Sequence, residues 1–213
     1  MAHGEVCPAA QLELVPRRTV RGWLRDMLRD LFGWVARRPL RLPEGHEAVP
    51  HSADVRMAVW AVTVVDLISG VVVDAMVPPA YRLLHLVWVV AVLVLSLGSC
   101  AMTVRAPHVI DGTVLRLRTG PLRELVVPLH AVAAVRSAHG AHTGHGLRRV
   151  LDDAEAVACS VSSATTLVLD LVHPLPVPFR RGGAVPARRV YFAADQPSAA
   201  ARLITRAAAA AKP

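Results

Sequence analysis

Three polar side chains stand inside sequence that is otherwise apolar. Asp66 and Asp74 interrupt MAVWAVTVVDLISGVVVDAMV, and His85 stands near the start of RLLHLVWVVAVLVLSLGSCAMTV. A carboxylate at the centre of a membrane helix costs ~2.5–3.5 kcal/mol, so it should face a partner rather than lipid. Counting outward from the turn Pro78-Pro79-Ala80-Tyr81 brings Asp74 level with His85, with Arg82 also near. The same count sets Asp66 against Ala91 to Leu93, with Ser69 one turn away and Ser96 or a second copy of the hairpin as partners. Two chemistries fit these residues. One is ion pairing near the outer surface, and the other is ion or proton coupling, which would need an oligomer because two helices cannot enclose a pathway.

His139, His142 and His145 recur at three-residue steps, a spacing that converges on zinc when the backbone is helical. Gly140, Gly144 and Gly146 oppose a helix there, and only Asp152 or Asp153 could complete the set through loop folding. No metal ligand is assigned, and a metal-responsive sensor stands as an alternative. Gly182-Gly183 is a turn and not a phosphate loop, since no helix with Lys and Ser/Thr follows. Ser162 and Ser163 have no evident base nearby, and no nucleophile elbow, metalloprotease or kinase signature occurs. No catalytic or cofactor-binding residue is assigned, no cofactor is expected, and the chain is read as a non-enzyme.

The elements that carry these residues are set by hydropathy. Residues 57–77 and 82–104 each approach the ~20 apolar residues that cross ~30 Å of hydrocarbon at 1.5 Å per residue. Pro78 and Pro79 end the first helix, and a four-residue turn makes an antiparallel hairpin. A buried pair in a soluble bundle is the competing reading. Length, apolar density, and Trp60, Trp88 and Tyr81 toward the ends favour the membrane.

Ahead of the hairpin, residues 19–36 carry Val20, Trp23, Leu24, Met27, Leu28, Leu31, Trp34 and Val35 at helical steps, opposite Arg21, Arg25, Asp26, Arg29 and Asp30. Thr19 is the expected N-cap and Pro39 the stop. Trp23, Arg25, Arg29 and Trp34 are the candidate membrane-surface residues of a helix lying at the bilayer interface, with membrane lipids as partners. Packing on the protein's own soluble domain is the alternative. Residues 37–56 read as a linker with three prolines and no period, closing a segment 1–56.

The chain has 213 residues, 54% of them hydrophobic, and a formal charge of +8. Lys212 is the one lysine among 24 basic residues, a usage typical of GC-rich, bacterial coding. Nine arginines precede the hairpin, Arg82 alone stands at its tip, and the other basic residues follow it. The excess of positive charge on cytoplasmic loops accounts for this without nucleic acid and puts both termini in the cytoplasm of a cell-membrane, multi-pass protein. Cys7, Cys100 and Cys159 show no pairing or metal spacing, which suits a reducing compartment. No cleaved signal peptide is expected, and the first membrane helix serves as the insertion signal.

After Val104 the period changes to two. VIDGTVLRLRTG alternates Leu115 and Leu117 with Arg116 and Arg118, and LRELVVPL, AVAAVRSA, ACSVSS, TTLVLDLVHPLPVPF and RRVYFAAD read as further short antiparallel strands. Residues 139–156 read as a long loop with a helical turn. Asp195 and Pro197 start a last helix with Ala200, Leu203, Ile204 and Ala207 on one face. The expectation is an α+β domain over 105–213, a bent antiparallel sheet or partly open barrel with a helical plug.

This order resembles the bacterial pleckstrin-homology-like (PH-like) domain membrane proteins. The resemblance is carried by Val109-Ile110-Asp111-Gly112-Thr113-Val114-Leu115-Arg116-Leu117-Arg118 with Gly120, by Val127-Pro128-Leu129 leading to Val132 and Val135, and by Val190-Tyr191-Phe192 and Asp195-Gln196-Pro197. It implies a seven-stranded, strongly bent sheet capped by the C-terminal helix, and a binding or assembly role. Eukaryotic PH domains that bind phosphoinositides cluster basic residues around the first hairpin, where Arg116, Arg118 and Arg123 stand here as candidate lipid- or partner-binding residues. A solvated basic strand face is the competing reading. The functional expectation is a non-catalytic scaffold or adaptor that binds an unidentified protein, anionic lipid or another copy of itself. The alternative is a small ion- or proton-coupled transport subunit using Asp66 and Asp74.

Overall fold

The computed structural model describes residues 20–119, 124–179 and 183–212. The described chain divides into two compact units, one helical (20–41 and 52–106) and one sheet-rich (42–51 and from 107 onward).

The helical unit holds α1 (Val20–Val35), α2 (Ala53–Met76) and α3 (Arg82–Val104). Both long helices are apolar around their circumference, and in this unit that surface stays open. Val71, Leu83, Leu84 and Trp88 are 67–73% exposed. Helices α2 and α3 meet closely at Gly70, where an added Cβ would approach Val89 to 3.2 Å. Helix α1 packs on α3 by the same device, with fully buried Met27 seated over Gly98. Its C-terminus closes as a Schellman motif, with the Arg38 N–H bonded to Gly33 O and the Arg37 N–H to Trp34 O. Arg37 holds the left-handed position at φ +50°, where glycine is the usual residue. The helix therefore ends at Val35, four residues before Pro39, which sequence alone names as the stop.

The sheet-rich unit is built from nine strands among the described residues. A four-stranded antiparallel sheet runs β1 (His46–Val49), β2 (His108–Asp111), β3 (Val114–Arg118), β4 (Glu124–Pro128). The other strands are β5 (Val132–Ala141), β6 (Gly146–Val150), β7 (Asp153–Ser160), β8 (Ala164–Pro178) and β9 (Ala184–Phe192). They form a second sheet in the order β5-β8-β9-β7-β6. Leu115, Leu117, Leu125 and Val127 of the first sheet share one core with Leu167, Leu169, Val190 and Phe192 of the second. Helix α4 (Pro197–Ala210) adds Ala200, Ile204 and Ala208 to it. The result is a bent, unclosed sheet domain with a C-terminal helix.

Three sequence expectations change here. Residues 46–49, inside the stretch read as linker, form β1, and Val49 is buried in the core as the register partner of His108. A four-residue strand is too short to show a period, and its partner lies beyond the hairpin in sequence. Residues 139–156, read as a loop, supply the end of β5, all of β6 and the start of β7. The glycines there serve the β5–β6 turn, with Gly144 at φ +99° and Gly146 at φ +79°. The pairing is also mixed, since β7 runs parallel to β9, and nine strands stand where the family resemblance implies seven.

Candidate functional site

In the helical unit, His85 Nδ1 lies 3.2 Å from Asp74 Oδ1, the pairing expected from counting outward from the turn. Arg82, the other expected partner, turns back instead and donates to Val77 O at 3.3 Å. Asp66 lines a cleft of about 330 Å³ with Ser69, Gly70, Val73, His85 and Trp88. Ser96 does not border this cleft. One face of the hairpin thus gathers Asp66 and His85, and the Asp74 carboxylate is held by the same imidazole.

The candidate surface helix α1 uses its circumference in three arcs. Trp23, Asp26, Met27, Asp30, Gly33 and Trp34 occupy the arc that is buried or half-buried, and Trp34 meets Trp60 with ring centroids 6.2 Å apart. Val20, Leu24, Leu28, Phe32 and Val35 form an exposed apolar arc, and Arg25 and Arg29 continue it as exposed charge. Trp23 and Trp34 are therefore packing residues as much as surface ones. At the end of α3, Arg105 threads past Gly33, where an added Cβ would lie 3.1 Å from its guanidinium carbon. It donates to Arg38 O at 2.9 Å and pairs with Asp30 at 3.5 Å. Sequence reasoning passed over Arg105, although an arginine directly after an apolar helix is a signal in itself.

In the sheet-rich unit, the candidate lipid- or partner-binding arginines are committed to carboxylates. Arg116 donates to Glu124 at 3.0 Å and to Asp111 at 3.5 Å, and Arg118 donates to Glu124 at 3.2 Å. Arg118 and Glu124 are register partners across β3 and β4, so the pairing is built into the ladder. Arg123 lies outside the described residues. Arg136 and Asp170 make a similar two-bond pair at 2.5 and 2.8 Å. The Arg136 guanidinium beside it holds the Asp170 carboxyl below its usual range.

The His142 ring packs on Tyr191 at 4.7 Å, and no group of three His, Cys, Asp or Glu suited to a metal exists among the described residues. Beside it, Arg148 gathers the turn by donating to Gly146 O, His142 O, Ser160 Oγ and Ser162 O.

Two other histidines stack in the interior. His51 and His108 lie 3.9 Å apart and 10° from parallel. His108 accepts from the Arg118 N–H at Nδ1 and donates from Nε2 to Ala193 O, which uses both ring nitrogens in the neutral form. Burial, with the neighbouring His51 adding to it, holds His108 well below the usual imidazole range. His51 is 6% exposed, and neither ring nitrogen has a hydrogen-bond partner among the described residues. Burial lowers it to about 4, against the opposing pull of Asp195. The Cys159 thiol, pushed up to about 12 by burial, is equally removed from chemistry. Comparison with protein-family models, with curated proteins and with solved structures finds no match to this chain.

Proposed function

We propose that this chain is a membrane-anchored, non-catalytic scaffold, in which α2 and α3 cross the bilayer as a hairpin and present a PH-like sheet domain on the cytoplasmic side. The observation that carries the reading is the apolar surface of α2 and α3. Side chains such as Leu83, Leu84, Val71 and Trp88 are 67–73% exposed, and hydrocarbon is the solvent that suits such a surface. The topology supports anchoring at two points. The chain leaves the sheet-rich unit after His51 and re-enters it at Pro107, and the strands on either side of that excursion are neighbours in one ladder. The arginines before α2 and after α3 favour the cytoplasm for the sheet domain. Anchoring then raises the effective concentration of a bound partner near the bilayer.

In-cell crosslinking from native membranes tests this, comparing the full chain with one lacking residues 107–213. Scaffolding predicts partners that disappear with the sheet domain. An unchanged set of partners contradicts it.

The cleft holding Asp66 and His85 is what favours the second reading, an ion- or proton-coupled subunit. Asp66→Asn separates the two. A scaffold keeps its partners and its cellular phenotype, and a proton-coupled subunit loses its function.

A further inference from the structure

A cleft of about 840 Å³ opens between α1, the segment after it and the end of α3. Arg29, Arg38, Arg41 and Arg105 line it, with Asp26 and Asp30 as the acidic residues, so its lining carries a net charge of +2. The four guanidiniums are not equivalent. Arg105 is spent on Asp30 and Arg38 O, and Arg38 lies over the Phe32 ring at 5.1 Å. Arg29 and Arg41 are exposed and have no hydrogen-bond or ion-pair partner among the described residues. Two unspent guanidiniums on the wall of a concave site are a donor set for phosphate oxygens, which their planar forks can grip with paired N–H bonds.

The depth of the cleft follows from the membrane reading proposed above, on which this inference rests. Helix α3 has 23 residues, and Arg105 caps its end. At 1.5 Å per residue it spans roughly 35 Å, so its last turn emerges from hydrocarbon at the level of the headgroups. The exposed apolar arc of α1 would sit at that same level. We infer that the cleft holds the headgroup of an anionic lipid carrying two negative charges, with Arg29 and Arg41 gripping its phosphate and Arg38 and Arg105 shaping the wall. The charge match sets the class, since the lining carries a net charge of +2, which a dianion balances. Gly33 is the positioning residue, because any side chain there meets the Arg105 guanidinium.

Native mass spectrometry of the detergent-solubilised full chain tests the inference, with cardiolipin, phosphatidic acid, phosphatidylglycerol and inorganic phosphate as probes. The expected result is one-to-one binding of cardiolipin or phosphatidic acid at least tenfold tighter than phosphatidylglycerol, with inorganic phosphate a weak competitor. The double substitution R29Q/R41Q should abolish that preference, and R116Q/R118Q on the sheet domain should retain it. Equal binding of all three lipids, an unaffected R29Q/R41Q chain, or inorganic phosphate binding as tightly as lipid would each overturn the assignment. Alkaline carbonate extraction of native membranes separates this outcome from failure of the membrane reading. A chain that is extracted removes both proposals, and a chain that stays in the membrane but lacks the preference removes the headgroup site alone.

Discussion

At the scale of single residues, charge is neutralised on the sheet domain, where Arg116 and Arg118 were expected to act, and available at Arg29, which was expected to act, and at Arg41, which was not. Arg116 and Arg118 answer to Glu124 and Asp111, and Asp74 answers to His85. The pairing of Asp74 was legible because a four-residue turn fixes the register of a hairpin. The pairing of Arg118 was not, because it depends on which residue of β4 faces it. The buried His51–His108 stack yields a prediction with a definite sign. Both imidazoles resist protonation in the folded state, whereas the unfolded chain takes protons near pH 6.5. Stability is therefore full above pH 6.5 and falls as pH drops toward 4, with a contribution from His51 on the order of 3 kcal/mol. Thermal unfolding of the detergent-solubilised full chain between pH 7.5 and 4.5 measures it. His51→Phe should make the profile shallower while His108 keeps the rest of the slope, and a wild-type midpoint independent of pH would contradict the account.

At the scale of elements, close approach and long-range pairing do most of the positioning. Helix α1 was legible as an amphipathic helix from its spacing. Its division into a packed arc and an exposed apolar arc was not, because Met27 finds its seat only where Gly98 leaves room. Gly98→Val should expel Met27 and loosen α1 from α3, at a cost of about 1–3 kcal/mol for overpacking. Limited proteolysis within 20–35 is the readout, with faster cleavage expected. Strand β1 was missed for a different reason, since its partner β2 lies on the far side of two long helices. Val49→Ala should destabilise the sheet domain by about 2 kcal/mol and raise hydrogen exchange across residues 108–118. A true linker would leave both unchanged. The expected loop at 139–156 failed similarly, because Arg148 and the left-handed glycines shape a turn between strands that carry little alternation of their own.

At the scale of the whole molecule, the order of the units in the chain carries the functional reading. Hydropathy made α2 and α3 legible to within a few residues, and the period of two after Val104 made a sheet domain with a final helix legible as well. The parallel β7–β9 pair and the strand order are properties of tertiary packing that no local pattern encodes. The central claim is that the hairpin crosses the bilayer with its tip on the face opposite the sheet domain. Labelling with a membrane-impermeant maleimide tests it most directly, using Ala80→Cys at the tip and Lys212→Cys after α4 in full chains with Cys7 replaced by serine. The account predicts that Ala80→Cys is labelled in intact cells and Lys212→Cys only after permeabilisation. Equal labelling of the two positions, or protection of Ala80→Cys in intact cells, would contradict it.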